Sequence, residues 1–336
     1  MRRLLPIVVL TLSSTPAWAL DDVMTPRGLA MGSMGRGAAI GALGPMLNPA
    51  GIEFARQYTI EAGYGLSVQD VGSNINLSIT DSTTNAHIGM GAYYQFVHSS
   101  PHFANAAGQP DADVTRQGNE AGISTAVPLG DHFAFGVTLK YANISTDGPN
   151  PAATATNKLP GRVVYDSSTL VDAKGFTMDV GILIKLTDTF GIGVVGSNII
   201  PLHSIDTPAG LGFGLGYQVM PNLLLVADAQ IDFDRYRSQA VDAMGNPIVP
   251  APDAVGTPLA GDRRTTVRAG GGLEYVAGNV VPIRAGYFQD TGMPGGFISA
   301  GVGYLGPSFG IDAGYRGKVV GGNETLLALG LRVFLQ

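Results

Sequence analysis

The sequence contains no cysteine, little charge and no long apolar run. Without cysteine, 336 residues hold no disulfide framework, thiolate metal site, iron–sulfur cluster or cysteine nucleophile. Asp, Glu, Lys and Arg make up only 14% of the chain, and the net charge of −6 is opposite to the basic stripe of a nucleic-acid binder. No stretch reaches the roughly 18 consecutive apolar residues that a spanning helix needs. Glycine, in contrast, is in excess: 48 residues, about twice the average share, with no collagen-like period. With 45% hydrophobic residues the chain is not of the disordered class, and its composition points to long β-strands.

The first residues read as a leader. Arg2 and Arg3 precede an apolar run from Leu4 to Leu12, and Ala17-Trp18-Ala19 forms an A-x-A site. Removal of residues 1–19 leaves 317 residues, takes the net charge to −8 and removes the only Trp. An exported chain without a spanning helix is either soluble outside the cytoplasm or crosses a membrane as a closed barrel.

Period two decides for the barrel. In Tyr58, Ile60, Ala62, Tyr64, Leu66 and Val68 one parity is apolar, and the other carries Thr59, Glu61, Gly63, Gly65 and Ser67. Side chains on a strand face alternate sides, so this is a two-faced strand. Fourteen such segments follow one another to Leu335, with little room for helix. Thirteen charges lie within them (Glu61, Glu120, Lys140, Asp179, Lys185, Asp228, Asp232, Arg268, Glu274, Arg284, Asp312, Arg316 and Arg332), all on the parity opposite the large apolar residues. A lipid-facing Arg or Lys costs about 2–4 kcal/mol at the bilayer midplane and a lumen-facing one little. Loop lengths sort the same way. Long connections near 98–117, 147–172 and 236–262 share one side, and short turns such as Thr187-Asp188-Thr189 and Ala277-Gly278-Asn279 share the other. That is the pattern of an outer-membrane barrel, with long extracellular loops and short periplasmic turns.

Enzymatic and cofactor motifs find no support. Gly191-Ile192-Gly193-Val194-Val195-Gly196 has dinucleotide spacing but lies within a strand with no helix to follow. The histidines show no metal-binding spacing, and Pro101 excludes a helix that would align His98 with His102. Asp111 and Asp113, and Asp228, Asp232 and Asp234, read as solvated rather than cation-binding; Ser197 and His203 do not rise above background as a hydrolase pair. The expectation is a non-enzyme with no cofactor and no metal.

Residues 20–55 do not alternate. Small residues dominate from Arg27 to Leu47, followed by Asn48-Pro49-Ala50-Gly51, where Pro49 blocks a continuous helix. Their apolar character favours packing inside the lumen over a periplasmic tail. This run ending in Asn-Pro-Ala-Gly resembles the hatch of the FadL-type outer-membrane transporters of long-chain fatty acids and other hydrophobic compounds. Gly212 to Tyr217 through Asp228, and Arg268 to Tyr275 through Tyr287, are similar to the same family and to the related PorV-like barrel of the type IX secretion system. The resemblance implies an all-β, fourteen-stranded transmembrane antiparallel barrel over residues 56–336, with a lumen plug over 20–55 that contains Asn48, Pro49, Ala50 and Gly51. It implies passive uptake of a small hydrophobic ligand across the outer membrane, with outer-membrane lipid and the barrel-assembly machinery as partners and no nucleic acid. The PorV-like alternative is a structural barrel that scaffolds surface-protein export; a general porin would need a lumen free of the plug. Lacking Trp, the mature chain must build its interfacial belts from Tyr and Phe.

The inward charges Arg268, Glu274, Arg284, Asp312, Arg316 and Arg332 crowd onto the last five strands. They read chiefly as an alternating network that stiffens the wall and anchors the plug. The sharper reading gives one arginine, Arg284 or Arg316, a carboxylate headgroup, which guanidinium matches bidentately.

Overall fold

The computed structural model describes residues 25–38, 41–68, 72–85, 87–100, 102–104, 110–113, 115–147, 163–164, 172–202, 207–236, 239–240, 263–291, 296–319 and 324–335. The leader, and the side chains of His102, Asp111, Asp113, His203 and Asp234, lie outside the described residues. The alternating segments form fourteen barrel strands: β1 (Tyr58–Ser67), β2 (Gly72–Asp81), β3 (Gly89–Ser99), β4 (Thr115–Pro128), β5 (Phe133–Asp147), β6 (Ala173–Thr187) and β7 (Phe190–Ser197). The second half is β8 (Gly210–Met220), β9 (Leu223–Tyr236), β10 (Arg263–Ala277), β11 (Val281–Asp290), β12 (Gly296–Leu305), β13 (Phe309–Lys318) and β14 (Thr325–Leu335). Each pairs antiparallel with its sequence neighbours, and β1 closes on β14 from Tyr58↔Leu335 to Ser67↔Leu326. Closure leaves no sheet edge, the condition for a strand to cross a membrane. No helix among the described residues is long and apolar enough to do so.

The two faces separate as the pattern requires. Ile123, Leu329 and Phe176 point outward and are at least 60% exposed, whereas Asp232, Arg284 and Asp312 point inward at 2% or less. Aromatic pairs band the outer surface: Phe190–Tyr217 and Tyr304–Phe309 near the short turns, Tyr141–Phe176 toward the long loops. At the turn side, Gly278 and Asn279 both take positive φ and Val280 N–H donates to the Ala277 carbonyl, a type I′ geometry that suits twisted strands.

Residues 25–38 and 41–55 occupy the lumen, with α1 (Pro26–Ala30), a 3-10 turn (Gly41–Leu43), α2 (Gly44–Leu47) and α3 (Gly51–Ala55). Thr25 caps α1 by accepting from Gly28 N–H at 3.2 Å, and Pro26 supplies the preset φ of a first turn. α1 rests on β11 to β14 and β1; α2 and α3 rest on β2 to β5. Leu29, Met31, Met34, Leu43, Leu47 and Ile52 are all at most 2% exposed, so the segment's apolar side chains supply a core that the polar inner wall lacks.

Candidate functional site

The inner segment lies directly on glycines of the wall. A Cβ at Gly136 or Gly181 would meet Ala50 N at 2.4 Å and Asn48 Oδ1 at 2.2 Å; one at Gly214 would meet Gly37 N at 2.6 Å. On the opposite wall, a Cβ at Gly272 would stand 2.5 Å from the Met31 carbonyl oxygen and one at Gly314 2.6 Å from that of Pro26. The excess of glycine thus has a structural use: it lets backbone pack on backbone around the barrel. Gly191 and Gly193 of the dinucleotide-like motif belong to this belt, within β7.

The Asn-Pro-Ala-Gly tetrad is a junction. Asn48 Nδ2 donates to the Arg36 carbonyl at 2.8 Å and to the Ile182 carbonyl of β6 at 3.2 Å, while Asn48 Oδ1 accepts from Ala50 N–H at 3.1 Å. Pro49 separates α2 from α3, and Gly51 N–H donates to the Asn48 carbonyl at 2.9 Å. One side chain therefore ties two parts of the inner segment to each other and to the wall. Below it, Glu53 is fully buried and pairs with Arg56 at 3.2 Å; burial pushes its carboxyl above the ordinary range, against the pull of Arg56.

Two arginines of the inner segment complete the charge pattern. Arg27 bonds Glu274 bidentately at 2.7 and 3.0 Å, and Glu274 continues to Arg284 at 2.6 Å. Arg284 bonds Asp312 at 2.6 Å, and Asp312 bonds Arg332 at 2.8 Å. The result is a ladder of five alternating charges on the turn-side half of the lumen. Arg36 donates to Asp228 at 3.1 Å and also bonds Gln230, and the Gly35 and Arg36 amides converge on the same Asp228 oxygen. Beneath the ladder a polar cavity of about 400 Å³ is lined by Arg27, Thr59, Glu61, Glu274, Arg284 and Arg332, with apolar patches from Val276 and Phe334.

The remaining two predicted arginines sit apart, toward the long loops. Arg268 pairs with Asp290 at 3.3 Å and Arg316 with Glu324 at 3.4 Å. Between them Phe288 and Phe297 stack at 4.6 Å, with Arg316 within 5.7 Å of both rings and Lys318 at 5.4 Å from Phe297. Met31, Met34 and Val226 pack against this pair. The six predicted charges thus divide into a ladder (Glu274, Arg284, Asp312, Arg332) and a cationic aromatic cluster (Arg268, Arg316). Sequence reasoning missed Arg27, Arg36 and the two phenylalanines. The signal was present: two arginines in a charge-poor segment demand buried counter-ions, and Phe288 and Phe297 break the polar parity of their strands. Ser197 faces the lumen beside Asn198, where Lys140 bonds Asp179 and Asn198 at 2.7 and 2.6 Å. No group of three or more His, Cys, Asp or Glu among the described residues is arranged to hold a metal ion.

No family model and no curated protein matches the chain. Solved structures do. The Ralstonia pickettii toluene transporter TbuX aligns with a TM-score of 0.66 at 15% identity, over 94% of this chain and 99% of that one. The CymD monoaromatic hydrocarbon channel aligns at 0.66 and 16% identity over 95% and 99%. A Pseudomonas aeruginosa FadL homologue aligns at 0.60 and 14% identity over 92% and 98%. The likeness is one of fold: a closed fourteen-stranded barrel of the FadL type, as the sequence resemblance implied.

Proposed function

We propose that this chain, exported with residues 1–19 removed, is an outer-membrane barrel for passive uptake of hydrophobic molecules past a plug formed by residues 20–55. The observation that carries the reading is the closed lumen: Arg27, Arg36 and Asn48 fasten an apolar inner segment across it, and an aromatic, cation-flanked cluster lies on its loop side. A wide polar pore would have no use for such a filling. In the outer-membrane orientation the loop side is extracellular. A ligand then enters over Phe288 and Phe297, and displacement of the segment around Asn48, Pro49, Ala50 and Gly51 frees the way onward. No covalent chemistry is involved, and selectivity comes from the shape and polarity of the lumen.

The fold relatives are named for toluene, monoaromatic hydrocarbons and FadL, which makes small aromatics and long-chain fatty acids the first cargoes to try. For an acidic cargo Arg316 is the better receptor: both arginines are 2% exposed, but Arg284 already holds two carboxylates, whereas Arg316, paired with Glu324, overlies the aromatic pair on the loop side. The test is extraction and mass spectrometry of barrel purified in mild detergent, followed by binding of palmitate and of toluene. A stoichiometric apolar molecule, and an Arg316→Ala variant that binds palmitate about tenfold more weakly with toluene unchanged, are the expected results. An empty barrel that binds neither and carries a surface or periplasmic protein supports the scaffold reading instead.

A further inference from the structure

The polar groups of the inner wall are satisfied unequally. From β3 to β9 they mostly form closed sets: Tyr93 with Glu120, Ser124 with Thr138, Lys140 with Asp179 and Asn198. On β1 and β2 the pattern reverses. Thr59, Ser67, Asn74, Asn76, Ser78 and Thr80 all point inward, and none is more than 6% exposed. Their eight side-chain nitrogen and oxygen atoms have no hydrogen-bond partner among the described residues. A buried polar atom left unpaired costs about 1–3 kcal/mol, so a cluster of eight persists only where something else bonds it.

The register arranges these groups as a column. Thr59 stands opposite Thr80, Glu61 opposite Ser78, Gly63 opposite Asn76 and Gly65 opposite Asn74. From Asn74 to Thr80 the column runs about 20 Å along the strand, which at the usual tilt of about 40° spans roughly half of a 30 Å hydrocarbon core. Its lower end is continuous with the 400 Å³ cavity, because Thr59 and Glu61 line both. The bonds that fasten the inner segment go elsewhere: Thr138 of β5, Ile182 of β6, Asp228 of β9, Glu274 of β10 and Ser299 of β12.

We infer that the inner face of β1 and β2 is a hydrated seam, a file of water between wall and inner segment that drains into the turn-side cavity. Its hydroxyls and carboxamides offer donors and acceptors without charge, so it accepts water and small neutral hydroxyl or amide solutes. It rejects apolar chains, which leave the column unpaired. At its upper end the Asn74 carboxamide lies directly over Gly65, where a Cβ would stand 2.3 Å from its Oδ1. The seam does not run through the bonds that fasten the inner segment, and it stands whether or not the barrel carries hydrophobic cargo.

The absence of cysteine makes the test direct. Single Ser78→Cys and Asn76→Cys variants of the full chain, reconstituted in vesicles, are treated with iodoacetamide, a small neutral amide. A thiol reacts only where water lets it ionise, so both should alkylate at least about tenfold faster than Ala134→Cys. Ala134 also points inward but lies in an apolar cluster with Ala50 and Leu183. Osmotic water permeability of the same Ser78→Cys vesicles should then fall on alkylation, with no question of refolding. Rates no faster than that of Ala134→Cys, or water permeability unchanged by alkylation, would overturn the seam. Neither readout depends on palmitate or toluene binding.

Discussion

A methyl group on Gly193 would stand 1.9 Å from the Arg36 carbonyl oxygen, closer than any side chain tolerates. Gly193→Ala must therefore push the inner segment off the wall, and it should lower barrel stability by about 1–3 kcal/mol, read as an earlier loss of heat-resistant electrophoretic mobility. Gly196→Ala on the outer face of the same strand meets only the flexible tip of Ile199 at 3.3 Å and should change little. Glu53 makes a different prediction. Its raised pKa means that the folded chain holds the proton more tightly than the unfolded one. Its contribution to stability is therefore complete at acid pH and is lost as pH rises through the raised value. Glu53→Gln should flatten the stability profile from the ordinary glutamate pKa of about 4.3 upward, and a variant profile parallel to the parent's would contradict this account.

At the scale of the element, the inner segment behaves as a strap with several fastenings. Asp228 has a fully buried side chain and faces Arg36 at 3.1 Å. Arg36→Ala leaves that carboxylate uncompensated, a loss of about 3–5 kcal/mol, whereas adding Asp228→Asn should recover part of it. Protease access to residues 25–55 in vesicles measures both. These fastenings explain which parts of the molecule could be read in the sequence. The strands were legible because period two survives fourteen times over, and the thirteen charges read from the sequence keep the inward parity; Asp81 and Lys174, at strand ends, take the outward one. Helix breaks at Pro49 were legible for the same local reason. The partners of the inner segment were not, because Gly136, Gly181 and Gly214 recognise it through backbone atoms that no side-chain pattern encodes. Nor does local sequence say that Arg268 and Arg316 would separate from the ladder formed by Arg284 and Arg332.

The whole molecule reverses the usual arrangement of a soluble protein, with its apolar residues outside and its charges within. Leu329, midway along β14 and 64% exposed, points outward, to the side that meets hydrocarbon in the proposed membrane setting. Leu329→Arg should destabilise the barrel by about 2–4 kcal/mol in a bilayer, measured by urea unfolding in vesicles. An equal cost in a detergent that lets the charge reach water would show that lipid is not the cause.

The glycine belt also sets a dimension. β1 and β14 pair along their whole length, from Tyr58↔Leu335 to Ser67↔Leu326, so the fourteen strands close on one circumference. Inside it the inner segment's main chain lies against the wall's at Gly136, Gly214 and Gly314, where a Cβ would not fit. Bore and filling are thus matched in calibre, and a residue larger than glycine at the contact ring makes the filling too wide for its cylinder.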